Sequence, residues 1–481
     1  MEPLYLTIIV IVTTIVLIIL TYPKTSSSNH TNLPPGSFGW PILGETLEFL
    51  FGKPDKFVEK RMKKHSSLVF KTRILGENVA VFCGPIGNKF IFSNEQKLVT
   101  AWRPHSLQKL MRSYQQSDQT SPTPTPTLKP TQNETTVIRT PGFFKPEALA
   151  RFLGVMDMTT KQQLKTHWEG KSKVQVYPLS KIFTLALASR FFLGIEDYDC
   201  VTKLVQEFDD VSLGLHCIPL NFPGTIFNRA SKGAAAIRKQ IISIIKEKKA
   251  AALLSGKPGH DILSYMIAST DSSGKFMPET ELADKVMGLL TAGYSTVASA
   301  LTFVMKFVGE RPDIYNKILA EQMEIANSKK PDDTLNWDDI QKMKYSWNVA
   351  CEAMRFFPPL QGTFREAITD ISFEGYTIPK GWKIYWTVSS TNKNPEYFPN
   401  PEKFDPTRYE EGSAQVPFTY VPFGGGPRLC PGKEYARLAI LTFLHNVVMK
   451  FKWEIMLLNE KMIGDMIPTP AQGLPVLLKP H

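Results

Sequence analysis

Cys430 sits in the run Phe423-Gly424-Gly425-Gly426-Pro427-Arg428-Leu429-Cys430-Pro431-Gly432, whose residue types suit a sulfur that binds a metal. Three glycines let the backbone come close to a flat group and turn amide N–H groups toward a thiolate, and such hydrogen bonds tune a metal-bound sulfur. The run lies between a β-like stretch and a helix predicted to start near Gly432, so the helix dipole also favours the anion. The alternative is a small buried thiol beside a tight turn, the ordinary fate of a free cysteine. A phosphate loop is excluded because no Gly-Lys-Ser/Thr closes the run, and a zinc site because the other cysteines and histidines lack ligand spacing.

Glu352 and Arg355, in Glu352-Ala353-Met354-Arg355, stand three apart on a predicted helix and can pair; alone they would be a surface pair worth a few tenths of a kcal/mol. Taken with the cysteine run, the spacing has a precedent: F-x-x-G-x-R-x-C-x-G resembles the haem-binding loop of cytochrome P-450 enzymes. Glu352 and Arg355 are similar to that family's ExxR helix. Pro401-Glu402-Lys403-Phe404-Asp405-Pro406-Thr407-Arg408 resembles its next element, whose arginine joins the pair in a buried network.

The resemblance implies Cys430 as proximal ligand to haem b iron, with Phe423, Gly424 and Gly432 shaping the loop. It implies Arg428, Arg365 (in Thr363-Phe364-Arg365-Glu366-Ala367) and Arg139 as donors to the haem propionates, a role suited to a forked, permanently charged guanidinium. For Arg365 the alternative is a surface charge on a strand edge. Ala292-Gly293-Tyr294-Ser295-Thr296 is similar to the family's distal motif [AG]-G-x-[DE]-T, in which a small residue leaves room for dioxygen and the threonine delivers protons. Thr296 takes that role here, with a hydroxyl bonded back to its own helix as the alternative. Ser295 stands where an acid is usual; it can hold a relay water but cannot shuttle a proton as a carboxylate does.

The elements that must position these residues are mainly helical. Helix periodicity covers Lys232 to Leu254, with lysines on its outer face, the apolar stretch Asp284 to Glu310, Tyr345 to Phe356 ending before Pro358-Pro359, and Glu434 to Lys452. Strand signals are few: Leu68 to Arg73 and Val79 to Phe82 about a turn at Gly76-Glu77-Asn78, then Ile371 to Phe373, Tyr376 to Ile378 and Lys383 to Val388. Asn394 to Phe418 reads as an irregular folded connector. The fold class expected is therefore mainly α with a small segregated β portion, and the resemblance makes it a cytochrome P-450 fold behind an N-terminal transmembrane helix.

Leu4 to Leu20 is uncharged and mostly apolar, and with its neighbours reaches the ~20 residues that span a bilayer as a helix. A charged n-region and a small-residue cleavage site are both missing, which favours an uncleaved anchor over a signal peptide. Glu2 precedes this span and Lys24, Lys53, Lys56, Lys60 and Arg61 follow it, so the positive-inside bias puts the catalytic domain in the cytosol, on the endoplasmic reticulum. Residues 1–23 are read as anchor, 24–41 as a polar, Pro-rich hinge, and 42–481 as one catalytic domain carrying a low-complexity insert at 112–136. That insert contains Ser121-Pro122-Thr123-Pro124-Thr125-Pro126-Thr127 and cannot be helix; Arg139 follows it, with Thr140-Pro141 immediately after. The sequons at Asn29 and Asn133 face the cytosol in this orientation and stay unmodified.

Five scattered cysteines without a CxxC pair argue against a disulfide framework. The net charge of +11 suits an anionic membrane or an acidic partner, and with no zinc-finger or RNA-binding signature nucleic acid is not expected. Lys433 and Arg437 are candidates for docking an acidic NADPH-cytochrome reductase, with a plain solvated face as the alternative. Leu290, Ala292, Leu360, Phe364 and Leu474 are candidates for an apolar substrate pocket, although such residues also fill ordinary cores.

Within the family, Leu98-Val99-Thr100-Ala101-Trp102, Phe143 to Leu149, Tyr345 to Glu352, Leu360-Gln361-Gly362 and Pro427 to Arg437 resemble plant oxidases of pentacyclic triterpenes such as beta-amyrin. The resemblance implies an NADPH- and O2-dependent monooxygenase acting on a lipophilic terpenoid, with oxidation of the C-28 type. Three alternatives stay open: a taxane-like diterpenoid hydroxylase, a haem-thiolate isomerase or dehydratase made thinkable by Ser295, and a catalytically impaired paralogue that binds haem poorly or not at all.

Overall fold

A computed structural model describes residues 13–14, 32–41, 43–66, 68–112, 142–196, 202–255, 261–270, 274–330, 333–410, 416–464 and 466–481. The anchor apart from Thr13 and Thr14, residues 24–31 of the hinge, the insert apart from Arg112, both sequons and Arg139 lie outside the described residues. The chain divides into two compact units, Met1–Trp102 with Gly362–Thr391, and Arg103–Gln361 with Asn392–His481.

The first unit is built on a five-stranded sheet. Its strands run in the order Val69–Ile74, Glu77–Phe82, Lys383–Thr387, Gly362–Ala367, Val99–Ala101, so the late segments insert into the middle. The first hairpin turns at Leu75 and Gly76, with φ of 55° and 81°; two left-handed residues match the twist of the flanking strands. The turn therefore comes earlier than the sequence reading had it. Lys383–Thr387 is buried along its whole length, pairing parallel with Glu77–Phe82 and antiparallel with Gly362–Ala367. Gly362 is obligatory where these two strands meet, since a Cβ there would lie 2.2 Å from Trp386 O. Phe49, Phe57, Phe364 and Tyr385 pack edge-on or tilted, with centroids 4.8 to 5.4 Å apart for the Phe49–Phe57, Phe49–Tyr385 and Phe364–Tyr385 pairs.

The second unit is helical. Its axis is the 31-residue helix Glu279–Gly309, buried on nearly every face between Ala283 and Val308. Pro146–His167, Val176–Ala188, Ile226–Ser255, Lys344–Phe356 and Lys433–Lys450 complete the packing. Burial on all sides explains why this segment reads as a continuous apolar run, without a polar stripe. Its few polar side chains are paired: Asp284 with Arg238 at 2.6 Å, and Ser299 Oγ donating to Pro468 O at 2.9 Å. Two described helices are long and apolar enough to cross a membrane, Val176–Leu193 and Glu279–Gly309, and both lie mostly inside the protein, as core helices do.

Several expectations are corrected. The lysine-rich helix starts at Ile226, six residues before the predicted start. The segment before the cysteine loop is a turn, not a strand. The helical unit also carries a small three-stranded sheet, Lys173–Gln175, Pro475–Pro480 and Phe451–Ile455, whose strands the sequence did not signal. These strands are short or flanked by helix and proline, which hides their two-residue period.

Candidate functional site

The cysteine loop is closed by its own backbone. Cys430 N–H donates to Phe423 O at 2.9 Å, Gly424 N–H to Val421 O at 2.9 Å and Leu429 N–H to Gly426 O at 3.1 Å. Gly424 and Gly426 adopt φ of 73° and 63°, conformations that an L side chain resists; Gly426–Arg428 then forms one 3-10 turn with Arg428 half-buried. Cys430 is exposed, unlike buried Cys83 and Cys351 and half-buried Cys217. Burial nevertheless pushes its thiol up, opposed by a hydrogen bond from the Gly432 amide. A Cβ on Gly432 would stand 3.9 Å from Cys430 Sγ, and the helix Lys433–Lys450 begins at the next residue. Phe423 packs against the core of the same unit.

Glu352, Arg355 and Arg408 meet in one buried cluster. Arg355 Nε donates to Glu352 Oε2 at 2.8 Å and Nη2 to Oε1 at 2.9 Å, both side chains fully buried. Arg408 Nε donates to Oε1 at 3.3 Å, Asp405 N–H to Oε1 at 2.9 Å and Tyr409 Oη to Oε2 at 3.1 Å. Arg355 also donates to the carbonyls of Asn392 and Pro401 at 2.7 and 2.8 Å. A buried pair is tolerated only when its remaining donors and acceptors are satisfied in this way, and here the satisfaction fixes the connector after Asn392 to the Lys344–Phe356 helix. Tyr409 and Tyr420 escaped the sequence reading. Their partners are 57 and 69 residues away, and no local pattern encodes such a pairing.

On the central helix, Thr296 Oγ1 donates to Ala292 O at 2.6 Å. The back-bonded state held as the alternative for this residue is thus the one observed, which leaves the oxygen lone pairs for an incoming donor. Ala292 is exposed and Ser295 buried. Tyr294 points into the core, its phenol donating to Asp209 Oδ1 at 2.8 Å, while Asp209 pairs with Lys181 at 2.6 Å.

Arg365 belongs to the smaller unit. It is 6 % exposed on Gly362–Ala367, a strand with a neighbour on each side, so the strand-edge surface alternative is overturned. Its Nε donates to Glu95 Oε2 at 2.6 Å and Nη1 to Thr363 Oγ1 at 2.8 Å. Glu95, 270 residues distant, carried no signal of this pairing. Among the pocket candidates, Leu290 and Leu474 are buried in the main apolar cluster, where they act as core; Leu360 is half-buried, Phe364 buried in the smaller unit, and Ala292 alone exposed. Arg437 is tied to Glu434 at 3.0 Å, whereas Lys433 is exposed. Among the described residues no group of three or more His, Cys, Asp or Glu could hold a metal ion.

The sequence pattern of the cytochrome P450 family matches residues 34–474. The chain belongs to that family. This P450 is 50 % identical to a protein of Medicago truncatula named beta-amyrin 28-monooxygenase, over the full length of both chains. To a Vitis vinifera protein of the same name it is 52 % identical, over 99 % of this chain and 98 % of the relative. The retinoic acid-bound cyanobacterial CYP120A1 superposes with a TM-score of 0.81 at 32 % identity, covering 94 % of this chain and all of that one.

Family membership makes haem the cofactor and a reductase the source of electrons. The residues present fit haem. One exposed sulfur faces outward, a backbone amide donates to it, and glycines at Gly424 and Gly426 leave the loop without side chains at its tightest turns. An iron ion would hold that thiol deprotonated despite the upward push of burial.

Proposed function

We propose that this cytochrome P450 oxidises a pentacyclic triterpene of the beta-amyrin type at C-28. The single observation that carries the catalytic reading is Cys430: an exposed thiol in a loop closed by Cys430 N–H on Phe423 O, one turn before a helix. The substrate class rests on relatives of about 50 % identity over essentially the whole chain. Haem bound through Cys430 would supply dioxygen activation, with NADPH as the two-electron source: one oxygen atom enters a carbon–hydrogen bond and the other leaves as water.

The chain's own residues divide the remaining work. Cys430 would hold the haem iron through its sulfur, beside the Gly432 backbone. Phe423 and Gly424 shape the loop face. Arg428, Arg365 and Arg139 would neutralise the propionates of a bound haem, and the Glu95 carboxylate holds the Arg365 guanidinium. Thr296 would pass protons through its hydroxyl once that group releases its bond to Ala292 O, and Ser295 would hold a water in the relay. Leu360 and Ala292, both of the helical unit, contribute apolar contacts for a rigid lipophilic ligand. Residues 1–23 anchor the enzyme in the endoplasmic reticulum membrane, with the catalytic residues cytosolic and Lys433 and Arg437 facing an acidic reductase.

Microsomes containing the full chain and a plant NADPH-cytochrome reductase, supplied with beta-amyrin, test the reading. The expected result is C-28 alcohol, aldehyde or acid that requires both NADPH and O2, together with a thiolate-type Soret band in the reduced carbon-monoxide complex. Cys430→Ser should abolish band and product together. Products formed without NADPH would establish isomerase or dehydratase chemistry instead, and turnover of a diterpene but not of beta-amyrin would replace the substrate.

A further inference from the structure

Two phenols join the base of the cysteine loop to the Lys344–Phe356 helix. Tyr420 Oη donates to Cys351 O at 2.8 Å and Tyr409 Oη to Glu352 Oε2 at 3.1 Å, so adjacent residues of that helix receive them. The two rings touch, with centroids 4.9 Å apart and planes inclined at 54°. Burial holds both phenols far above their ordinary pKa, which keeps them protonated as donors. From Tyr420 the chain runs through Val421 to Phe423, whose carbonyls accept the Gly424 and Cys430 amides at 2.9 Å each. Two of the three acceptors on which the loop closes therefore lie within three residues of one anchored phenol.

We propose that the Tyr409–Tyr420 pair is a positioning device for the Cys430 sulfur, holding the loop's closing carbonyls in register with the Glu352 helix so that the thiolate stays on the iron. The proposal rests on Cys430 being the haem ligand. Without the Tyr420 bond, the stretch from Tyr420 to Phe423 shifts along the helix. The Cys430 amide then follows Phe423 O, and the sulfur leaves the metal as a neutral thiol after taking one proton from solvent. The Glu352 cluster is not broken by this loss, since Arg355, Arg408 and Asp405 still satisfy the carboxylate.

The test compares the full-length holoenzyme with Tyr420→Phe, Tyr409→Phe, the double variant and the control Tyr315→Phe. Tyr315 is also a buried phenol in this unit, donating to Phe451 O at 3.0 Å. At equal haem content and below the melting temperature, one follows the rate at which the thiolate-type Soret band of the reduced carbon-monoxide complex gives way to the non-thiolate band. Tyr420→Phe should accelerate that loss roughly fivefold, the factor that one neutral hydrogen bond of about 1 kcal/mol supplies. Tyr409→Phe should do so less, and the double variant should fall short of the product of the two because the rings share a contact. Tyr315→Phe should lower the melting temperature without changing the rate. Unchanged decay in Tyr420→Phe, or equal acceleration in Tyr315→Phe, overturns the proposal. If Tyr420→Phe yields no haem protein, Tyr409→Phe decides alone, because it keeps both rings and the Tyr420 bond: faster decay than in Tyr315→Phe supports the device, and equal decay sinks it. A parent enzyme without the thiolate-type band would remove the ligand assignment, and this inference with it.

Discussion

The Glu352 cluster and the Thr296 segment lie in the same unit and are held in opposite ways. Glu352 accepts from five donors spread over the Lys344–Phe356 helix and the connector up to Tyr409. Thr296 donates to the carbonyl four residues back on its own helix and to nothing beyond it among the described residues. A group that must stay fixed while chemistry happens elsewhere is over-determined by its surroundings. A group whose hydrogen bond must change during the reaction is better left with a partner it can release. The difference separates a rigid support from a working part, and each of the following measurements strains one side of it.

The largest effect is expected at the support. Glu352→Ala removes the counter-charge of a fully buried guanidinium and should destabilise the protein by about 3 to 5 kcal/mol, the range for stranding one partner of a buried pair. Denaturant unfolding and haem content of the purified protein check this. A change below about 1 kcal/mol would mean that solvent reaches Arg355 and that the cluster is no firmer than a surface pair.

A slightly smaller effect is expected from acid. His445, on the helix that follows the cysteine loop, has Nδ1 at 2.8 Å from Gln322 Oε1, and Gln322 in turn donates to Ser346 Oγ on the Lys344–Phe356 helix at 2.8 Å. Burial lowers this imidazole to about 4, from an ordinary value near 6.5. The unfolded chain thus binds the proton more readily than the folded one. Stability is full above pH ~6.5, falls as the pH drops through that value, and has lost up to about 3 kcal/mol once the pH is below the folded value. His445→Gln should flatten this part of a stability profile measured between pH 7 and pH 4. An unaltered slope would show that other groups carry the acid sensitivity.

Legibility in the sequence follows the same division. The helix positions of Glu352 and Arg355 were readable because both lie on one face within a single turn, and strands such as Tyr376–Ile378 because turn residues bracket them. Gly362–Ala367 entered only as the edge strand of the Arg365 alternative; its charged Arg365 and Glu366 hid that it lies between two neighbours, where they pair with Glu95 and Lys383. Cys430 and its glycines were readable because a loop that must close on itself needs those residue types in that order. Apart from Arg408 to Glu352, which the family resemblance implied, what stayed hidden was a set of bonds reaching across the chain: Glu95 to Arg365, Tyr409 to Glu352, Tyr420 to Cys351 and Asp209 to Tyr294. Residue type restricts the possible partners of such groups, but only the fold selects among them. For Thr296 the difficulty was different. A hydroxyl that serves catalysis and one that caps its own helix have the same sequence, and the structure resolves the resting bond alone.

The working side is strained by Thr296→Ala. Its bond is local, so stability should change by less than about 0.5 kcal/mol. The coupling of NADPH consumption to product should fall on the order of a hundredfold if the hydroxyl delivers protons, with hydrogen peroxide appearing in place of product. Thr296→Ser keeps the hydroxyl and should retain most of the coupling. Equal coupling in Thr296→Ala and the parent would reduce Thr296 to a helix residue.

The smallest effect, and the one that separates the two regions most cleanly, is expected at Gly293. A Cβ at this position would find only the Phe192 ring, 3.6 Å away, an ordinary contact distance. Gly293 lies in an unbroken stretch of the central helix, where glycine is about 0.5 to 1 kcal/mol less favourable than alanine. Packing and backbone entropy therefore both predict that Gly293→Ala folds at least as well as the parent, with a melting temperature raised by a degree or two. If the glycine is there to leave room beside Thr296 for dioxygen, the same variant should lose turnover while it gains stability. A support residue cannot show opposite signs in the two measurements, because weakening a support lowers both. Gly293→Ala that raised stability and left turnover intact would show that the motif glycine is required neither for packing nor for the oxygen site.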